Sequence, residues 1–182
     1  MTTLETQKIV VRGLRPEDFD AVVRLDAKNS GRRREEFFKV KLQQNLQETG
    51  VKVSLAAELD GAFVGFLLAR VYYGEFGTAE PVALLDTIDV HPDFAGVGIG
   101  RALNDQLVVN LQGLGVNTLR TEVGWDQPEL IAFFNHTGFE PAPRLCLDLD
   151  LDRARRASRD NLEPPAPAAD LFFWQGMLSP RD

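Results

Sequence analysis

The sequence has almost no cysteine, since Cys146 is the only one among 182 residues. One cysteine cannot form an internal disulfide, and this agrees with a reducing compartment. Long apolar runs are also missing: stretches such as 62–69 fall well short of the roughly 20 residues that a membrane span needs. The first residues lack the basic and then apolar pattern of a signal peptide. We therefore expect a cytoplasmic protein that does not contact a membrane.

Positive charge is scarce as well. The chain has 20 Lys and Arg against 27 Asp and Glu, a formal net charge of −7. Sequence-independent nucleic-acid binding needs clustered cations, and the one basic run is 32–34. The charge balance therefore predicts no nucleic-acid partner. The run 32–34 is interpreted as a solvated loop or a helix start, with a contact to a phosphate or an acidic partner as the alternative.

The hydrophobic pattern predicts an alternation of strands and helices. Apolar residues recur at helical spacing in some segments and form short β-prone runs in others. The pair Asp60-Gly61 tolerates the positive φ angles of a tight hairpin turn. In chain order the predicted elements are a strand at 9–11, a helix from 16, a helix at 35–48, strands at 53–59, 62–70 and 83–90, a helix from 99, a strand at 118–123, a helix at 128–136 and a strand at 145–151.

In the segment 145–152, leucines alternate with Cys146 and three aspartates, which predicts a strand with one buried and one solvated face. No histidine lies near these aspartates, so we expect no metal site there or elsewhere. Composition changes after Leu151. We expect one domain over 1–152 and an extension over 153–182, made of a linker rich in proline and alanine and an apolar tail. The tail is expected to dock on its own domain or on a second subunit of a homodimer.

A glycine-rich segment joins the predicted strand at 83–90 to an amphipathic helix. Gly96, Gly98 and Gly100 let the backbone turn and approach a ligand, and the free N–H groups of the helix start favour phosphate. A tight turn without a ligand is the alternative. No Gly-Lys-Ser or Gly-Lys-Thr follows, and Arg101 stands where a dinucleotide fingerprint has its third glycine. The segment therefore predicts a pyrophosphate site of another kind.

Residues 95–100, Ala-Gly-Val-Gly-Ile-Gly, resemble the hallmark of the GNAT superfamily of N-acetyltransferases: Arg or Gln, two residues, Gly, one residue, then Gly or Ala. The resemblance extends to the opening strand and helix at 12–18 and to the closing motif at 130–139, and covers roughly 8–151. It implies an α/β (α+β) fold with a mixed, mostly antiparallel central sheet flanked by helices, here with the C-terminal extension. It also implies acetyl-CoA as co-substrate. The implied CoA-binding residues are Ile88, Asp89, Val90, Ala95, Gly96, Val97, Gly98, Ile99, Gly100, Arg101 and Phe134.

The sequence departs from the family at two positions. Ala95 replaces the Arg or Gln of the hallmark, which removes one side-chain contact to CoA. Phe134 replaces the tyrosine of the closing motif, which in many relatives is the proposed acid that protonates the CoA thiolate. Phenylalanine has no proton to give.

The resemblance implies an enzyme that transfers the acetyl group of acetyl-CoA to a primary amine of a small molecule or protein by direct attack in a ternary complex. Asp86 is the first candidate for the base or water-positioning residue and Glu122 is the second. For both, a structural hydrogen bond or an exposed carboxylate is the alternative. His91 and His136 rank below them as surface residues. The alternative function is a non-catalytic acyl-CoA-binding sensor or regulatory module.

Overall fold

A computed structural model describes residues 8–73 and 79–152 of the chain. The tail and most of the linker lie outside these residues. The strands are β1 (Ile9–Gly13), β2 (Leu55–Leu59), β3 (Ala62–Tyr72), β4 (Val82–Val90) and β5 (Thr118–Thr121), and the helices are α1 (Phe19–Ser30), α2 (Glu35–Leu46), α3 (Ile99–Gly113) and α4 (Pro128–His136). Short 3-10 helices at Pro16–Asp18 and Pro92–Phe94 precede α1 and follow β4. Within the described ranges, no helix has the length and apolar content needed to cross a bilayer.

The five strands form one sheet in the order β1-β2-β3-β4-β5. The first three pairings are antiparallel and only β4 and β5 are parallel. The predicted fold, a mixed and mostly antiparallel sheet flanked by helices, is confirmed. Two features of the sequence set this topology. Asp60 (φ 51°) and Gly61 (φ 81°) adopt the left-handed conformations that a two-residue hairpin turn requires, whereas the parallel β4–β5 pair needs the crossover helix α3.

The alternation of side chains along the strands divides the core between the two faces of the sheet. On one face, Leu67 and Leu85 pack with Leu103 and Leu107 of α3. On the other face, Phe66 and Leu68 pack with residues of α1 and α2, among them Phe38, Val22 and Leu42. Each such buried side chain contributes about 1.5–3 kcal/mol relative to an exposed position. The helices that pack on the two faces of the sheet therefore also form the walls around β4.

Gly65 explains how closely α3 lies against β3. A Cβ atom at this position would come within 2.9 Å of Ile99 Cγ2 and 3.1 Å of the Asp89 carbonyl oxygen. Ile99 is the first residue of α3. The absence of a side chain at Gly65 therefore lets the glycine loop and the start of α3 lie on the sheet.

An ion-pair network ties the chain start to the sheet. The Arg12 guanidinium donates to both carboxylate oxygens of Asp18 (2.7 and 2.8 Å) and to Glu58 Oε1 (2.7 Å). Partial burial raises the pKa of Asp18, but hydrogen bonds from Arg12 and from the Arg15 N–H outweigh this effect and lower the pKa. Arg12 thereby joins β1, the 3-10 helix before α1 and β2.

The chain divides into two units, residues 1–140 and 141–182. In the second unit, residues 141–150 form neither helix nor strand, so the strand predicted at 145–151 is wrong. Leu145 and Leu147 are 88% and 86% exposed. An alternating pattern specifies a strand only where a neighbouring strand accepts its backbone hydrogen bonds, and this segment pairs with no strand of the described chain.

Candidate functional site

A cleft of about 570 Å³ opens beside the glycine loop. Its walls come from the end of β4, the loop, the first turn of α3 and one face of α4. The lining residues are Ile88, Val90, Phe94, Ala95, Gly96, Gly98, Ile99, Gly100, Arg101, Glu129, Leu130 and Phe133. Eight of the eleven residues predicted to bind CoA are in this set. The structure therefore brings most of the predicted cofactor residues together around one cleft.

Three glycines shape the loop for different reasons. Gly96 and Gly98 have φ angles of 79° and 94°, which side-chain-bearing residues rarely adopt. Gly100 lies in α3, where a Cβ atom would come within 3.2 Å of the Phe133 ring. Glycine at 100 thus allows α4 to lie close to the start of α3. The loop conformation and the close approach of α4 to α3 therefore both depend on glycine.

The start of α3 offers unpaired backbone donors to the cleft. The first bond of the helix runs from the Ala102 N–H to the Gly98 carbonyl oxygen, at 2.9 Å. The N–H groups of Ile99, Gly100 and Arg101 therefore have no partner within the helix. The N-cap residue Gly98 has no side chain to cap them, and no acidic residue lies in the first turn. These donors and the helix dipole fit a phosphate or pyrophosphate group.

Strands β4 and β5 separate at the residues that precede the two predicted carboxylates. Their parallel pairing ends at Leu85 and Thr121, whose hydroxyl donates to the Leu85 carbonyl oxygen at 3.0 Å. The next residues are Asp86 and Glu122. Beyond this fork, β3 is the only described strand that pairs with β4, so the other edge of β4 has backbone groups outside the ladder, although the Val90 carbonyl oxygen accepts a hydrogen bond of 2.8 Å from Asn29 Nδ2. An extended amide-containing chain can bond to such an edge.

A bulge in β4 also falls at the fork. On β3, Leu68 lies opposite Thr87 and Ala69 lies opposite Leu85, so Asp86 has no partner across the ladder. An extra residue bends the strand and re-aims its side chain. The Asp86 residue as a whole is exposed, but its side chain is only 22% exposed because it meets α2. The carboxylate thus faces α2, where it meets Lys41.

A second cavity of about 320 Å³ contains both predicted carboxylates. It borders the glycine-loop cleft, since Ile88 and Leu130 line both. The lining residues are Arg34, Phe37, Lys41, Leu85, Asp86, Thr87, Ile88, Thr121, Glu122, Gln127, Leu130 and Phe134. The structure therefore brings Asp86 and Glu122 to one cavity beside the cleft.

One face of α2 forms the opposite wall of this cavity. Arg34, Phe37 and Lys41 follow the spacing of three and four residues that places side chains on one face of a helix. Lys41 Nζ lies 2.7 Å from Asp86 Oδ2, and 5.6 Å from the centre of the Phe37 ring. Arg34 is held by Asp26, whose side chain is 3% exposed. Phe37 and Lys41 were not predicted as members of the site, and their helical spacing with Arg34 is the signal in the sequence that could have indicated them.

The two carboxylates differ in their partners. Asp86 is paired with Lys41, whereas Glu122 is exposed and forms no ion pair or hydrogen bond with any residue in the described ranges. The fork places both acidic side chains at one cavity, and the Lys41 ammonium pairs with one of them. Glu122 remains the carboxylate that is open to a cationic ligand.

Asp89, Val97 and Phe134 were predicted to bind CoA but do not line the cleft. The Asp89 side chain accepts a hydrogen bond from Asn29 on α1. Desolvation raises the pKa of Asp89 to about 6, against the opposing effect of the Asn29 hydrogen bond. Val97 is 53% exposed. Phe134 is 4% exposed, packs edge-on against Phe139, and lines the second cavity.

The histidines differ in burial. The His91 side chain is 16% exposed, and its Nε2 atom lies 2.7 Å from Lys28 Nζ. It lies under the loop, where its ring packs on Phe94, and so is more buried than the surface position expected for it. His136 is exposed at the end of α4, as expected.

The acetyltransferase (GNAT) family model matches residues 19–139. The uncharacterized N-acetyltransferase ycf52 of Porphyra purpurea is 29% identical over 105 residues, which are 57% of this chain and 55% of that protein. The chain thus spans about half the length of this curated relative.

Solved structures give the same fold. The aminoglycoside N-acetyltransferase AAC(6')-Iy in complex with CoA has a TM-score of 0.68 at 17% identity, covering 82% of this chain and 99% of that one. The ribosomal-protein-alanine N-acetyltransferase of Brucella melitensis biovar Abortus 2308 has a TM-score of 0.64 at 21% identity, with coverages of 79% and 99%. At these identities the likeness shows a shared fold.

Proposed function

Because the chain belongs to the acetyltransferase (GNAT) family, we propose that it transfers the acetyl group of acetyl-CoA to a primary amine by direct attack in a ternary complex. The observation that carries the proposal is the junction of two cavities at Ile88 and Leu130. One cavity has the unpaired N–H groups of a helix start, and the other has two carboxylates. A phosphate-bearing donor and a cationic acceptor suit these two environments, and their reacting groups would meet at the junction.

The glycine loop and the first turn of α3 hold the donor in this proposal. The N–H groups of Ile99, Gly100 and Arg101 bind the pyrophosphate, and the backbone of residues 88–90 pairs with the pantetheine arm along the free edge of β4. Acetyl-CoA supplies an acetyl thioester. A backbone N–H of β4 at the fork polarises its carbonyl oxygen. The side chains of Asp89, Val97 and Phe134 take no direct part in holding the donor.

The two carboxylates receive the acceptor. An amine enters as an ammonium ion, and only its neutral form attacks the thioester carbon. We assign removal of the proton to Glu122, directly or through one water molecule, because it has no partner among the described side chains. Asp86, held by Lys41, positions the amine. The new C–N bond forms as the C–S bond breaks, and CoA leaves as a thiolate.

Departure of CoA does not depend on a tyrosine at position 134. A thiol has a pKa of roughly 8.5, so its thiolate is a good leaving group that water can protonate near neutral pH. The second candidate function, a non-catalytic acyl-CoA sensor, is favoured only if the thiolate requires a side-chain acid, because the buried Phe134 ring has no proton to donate. The two functions share the cleft and differ only in turnover.

The test is a panel of amines, assayed with acetyl-CoA for release of free CoA thiol. The panel includes small mono- and polyamines and peptides with a free amino terminus or a lysine. We expect amine-dependent release with at least one class of acceptor. Tight acetyl-CoA binding with no release across the panel would favour the sensor. Failure to bind acetyl-CoA would contradict both functions.

A further inference from the structure

A third cavity, of about 280 Å³, lies at the far end of α2 from the glycine loop. It is formed by the end of α2, the loop that follows, and the last residues of β3. Its lining residues are Gln44, Glu48, Thr49, Gly50, Val51, Arg70, Val71, Tyr72 and Tyr73. None of them lines the cleft or the cavity with the two carboxylates. The third cavity is therefore separate from the site of the proposed acetyl transfer.

Arg70 is the cation among the described lining residues, and no carboxylate in the part of the chain that the structure describes forms an ion pair with it. Its Nε atom is buried and has no hydrogen-bond partner among the described residues. Its Nη1 atom donates to Gln44 Oε1 at 3.4 Å, near the limit for a hydrogen bond, and the guanidinium carbon lies 5.3 Å from the centre of the Tyr72 ring. Both partners are neutral. A guanidinium that is partly withdrawn from water without a counter-ion is costly, so its retention calls for an explanation.

Other cations of the same fold are treated differently. Arg12, Arg34 and Lys41 are also partly buried, and each forms an ion pair with a carboxylate. Arg70 has one within its own cavity, Glu48, yet no ion pair joins the two. Glu48 instead accepts a hydrogen bond of 2.9 Å from Gln43 Nε2. The guanidinium is thus left available to a carboxylate that enters from outside.

The walls indicate which kind of anion fits. Among the described lining residues, the charges of Arg70 and Glu48 cancel, which disfavours a phosphate dianion relative to a monoanion. The two tyrosines, Val51 and Val71 supply apolar and aromatic surface, and the tyrosine hydroxyls supply donors. A planar carboxylate matches the fork of a guanidinium in two parallel hydrogen bonds.

We propose that the third cavity binds an organic monocarboxylate, with the carboxylate on Arg70 and an apolar or aromatic body against Tyr72 and Tyr73. The carboxylate has two sources that share this chemistry. It belongs either to a free ligand or to the distal end of the amine acceptor. The second source is geometrically reasonable: Arg70 lies opposite Leu84 on β4, two residues from Asp86, and Gln44 continues the α2 face that carries Lys41.

The experiment is a titration of the whole protein with benzoate in the presence of saturating CoA, which keeps the anion from the glycine loop. Calorimetry or the rise in melting temperature reports binding. Benzamide, which has the same shape without the charge, and inorganic phosphate are the control probes. We expect a dissociation constant of about 1 mM or below for benzoate and at least about tenfold weaker binding of both controls.

Two single-charge variants of the cavity should act in opposite directions. Arg70→Gln keeps a donor for Gln44 and should weaken benzoate binding by about tenfold or more, whereas Glu48→Gln removes the opposing charge and should strengthen it several-fold. CoA-induced stabilisation should be the same in both variants and in the parent, which shows that the fold is intact. If Arg70→Gln does not fold, Glu48→Gln with benzamide as the control still decides the matter.

The source of the carboxylate follows from acceptor kinetics. The quantity compared is the ratio of the KM for 6-aminohexanoate to the KM for hexylamine. If Arg70→Gln has a larger ratio than the parent, the cavity belongs to the acceptor. If the ratio is unchanged but benzoate binding is lost, the cavity binds a free ligand, and the benzoate measurement stands even if no amine is acetylated. Equal benzoate binding by the parent and Arg70→Gln, or none by the parent at about 20 mM, overturns the proposal.

Discussion

Lys41 Nζ on α2 lies 2.7 Å from Asp86 Oδ2 on β4, across the cavity that also contains Glu122. Both side chains are about one-fifth exposed. The pair fixes the position of one carboxylate at the fork and leaves the other free. Two acids that the sequence offered as candidates for one role are therefore expected to serve different steps of the same reaction.

Separate substitutions of the two acids should show this division. Glu122→Gln removes the proposed proton acceptor and should lower kcat by about 10²–10⁴-fold with little change in the KM for the amine. Asp86→Asn should raise the KM for the amine more than it lowers kcat, and neither variant should change CoA affinity. Steady-state kinetics with calorimetry for CoA makes the measurement. The reverse pattern would make Asp86 the base, and two fully active variants would assign both acids structural roles.

The glycine loop gives a prediction on binding alone. Gly98→Glu places an acidic side chain beside the proposed pyrophosphate site and should weaken CoA binding by about a hundredfold or more. Glutamate at a φ of 94° also strains the backbone. Gly31→Glu is the matched control, because Gly31 has a φ of 68°, no atom near its Cβ position, and lies at the end of α1. Unchanged CoA affinity in a folded Gly98→Glu protein would contradict the site.

Phe134→Tyr tests whether a family tyrosine would help this enzyme. Phe134 lines the second cavity but is 4% exposed, so an added hydroxyl must find a partner or reach that cavity. We expect a folded protein with kcat unchanged or raised less than about tenfold, because thiolate departure is not limited by a side-chain acid. Turnover at several pH values measures this. A larger rise would show that proton delivery to the thiolate limits the parent.

Local chemistry allowed the cleft to be predicted from the sequence. Gly96, Gly98 and Gly100 indicate the backbone conformation of the loop, and Asp60-Gly61 indicates the hairpin turn. The loop and the turn can be predicted because each depends on residues that are adjacent in the chain. The wall formed by α2 was missed. Lys41 meets Asp86 across 45 positions of sequence only because α2 packs on the sheet, and no local pattern encodes such a contact.

The wrong strand prediction and the unexpected partner of Asp89 have the same origin. The leucines of 145–151 alternate as in a strand, but a strand exists only with a partner. Asp89 lies in the strand that is expected to pair with pantetheine, yet its side chain is held by Asn29 on α1. In each case the residue type was interpreted from its neighbours in sequence, whereas the outcome was decided by a distant element.

Asp89 gives a prediction on stability against pH. Desolvation raises the pKa of its carboxyl from 3.8 to about 6 in the folded protein, so the folded state favours the protonated form. The stabilisation from proton binding is complete below about pH 4 and is lost as the pH rises through 6. Asp89→Asn carries no charge to desolvate and its oxygen can still accept from Asn29. The variant should be more stable than the parent at pH 8, by about 2–3 kcal/mol, and the difference should shrink towards zero near pH 4.

Urea denaturation of the parent and Asp89→Asn at pH 4.5, 6 and 8 measures the difference directly. Asp60→Asn is the control, since it makes the same chemical change at an exposed turn where asparagine also tolerates a positive φ. Its effect on the free energy of unfolding gives the reference for the same chemical change at an exposed site. The other titratable groups are common to all three proteins, so their contributions cancel in the comparison. A difference between Asp89→Asn and the parent that stays constant from pH 4.5 to 8 would mean that the Asp89 carboxylate is not penalised by burial.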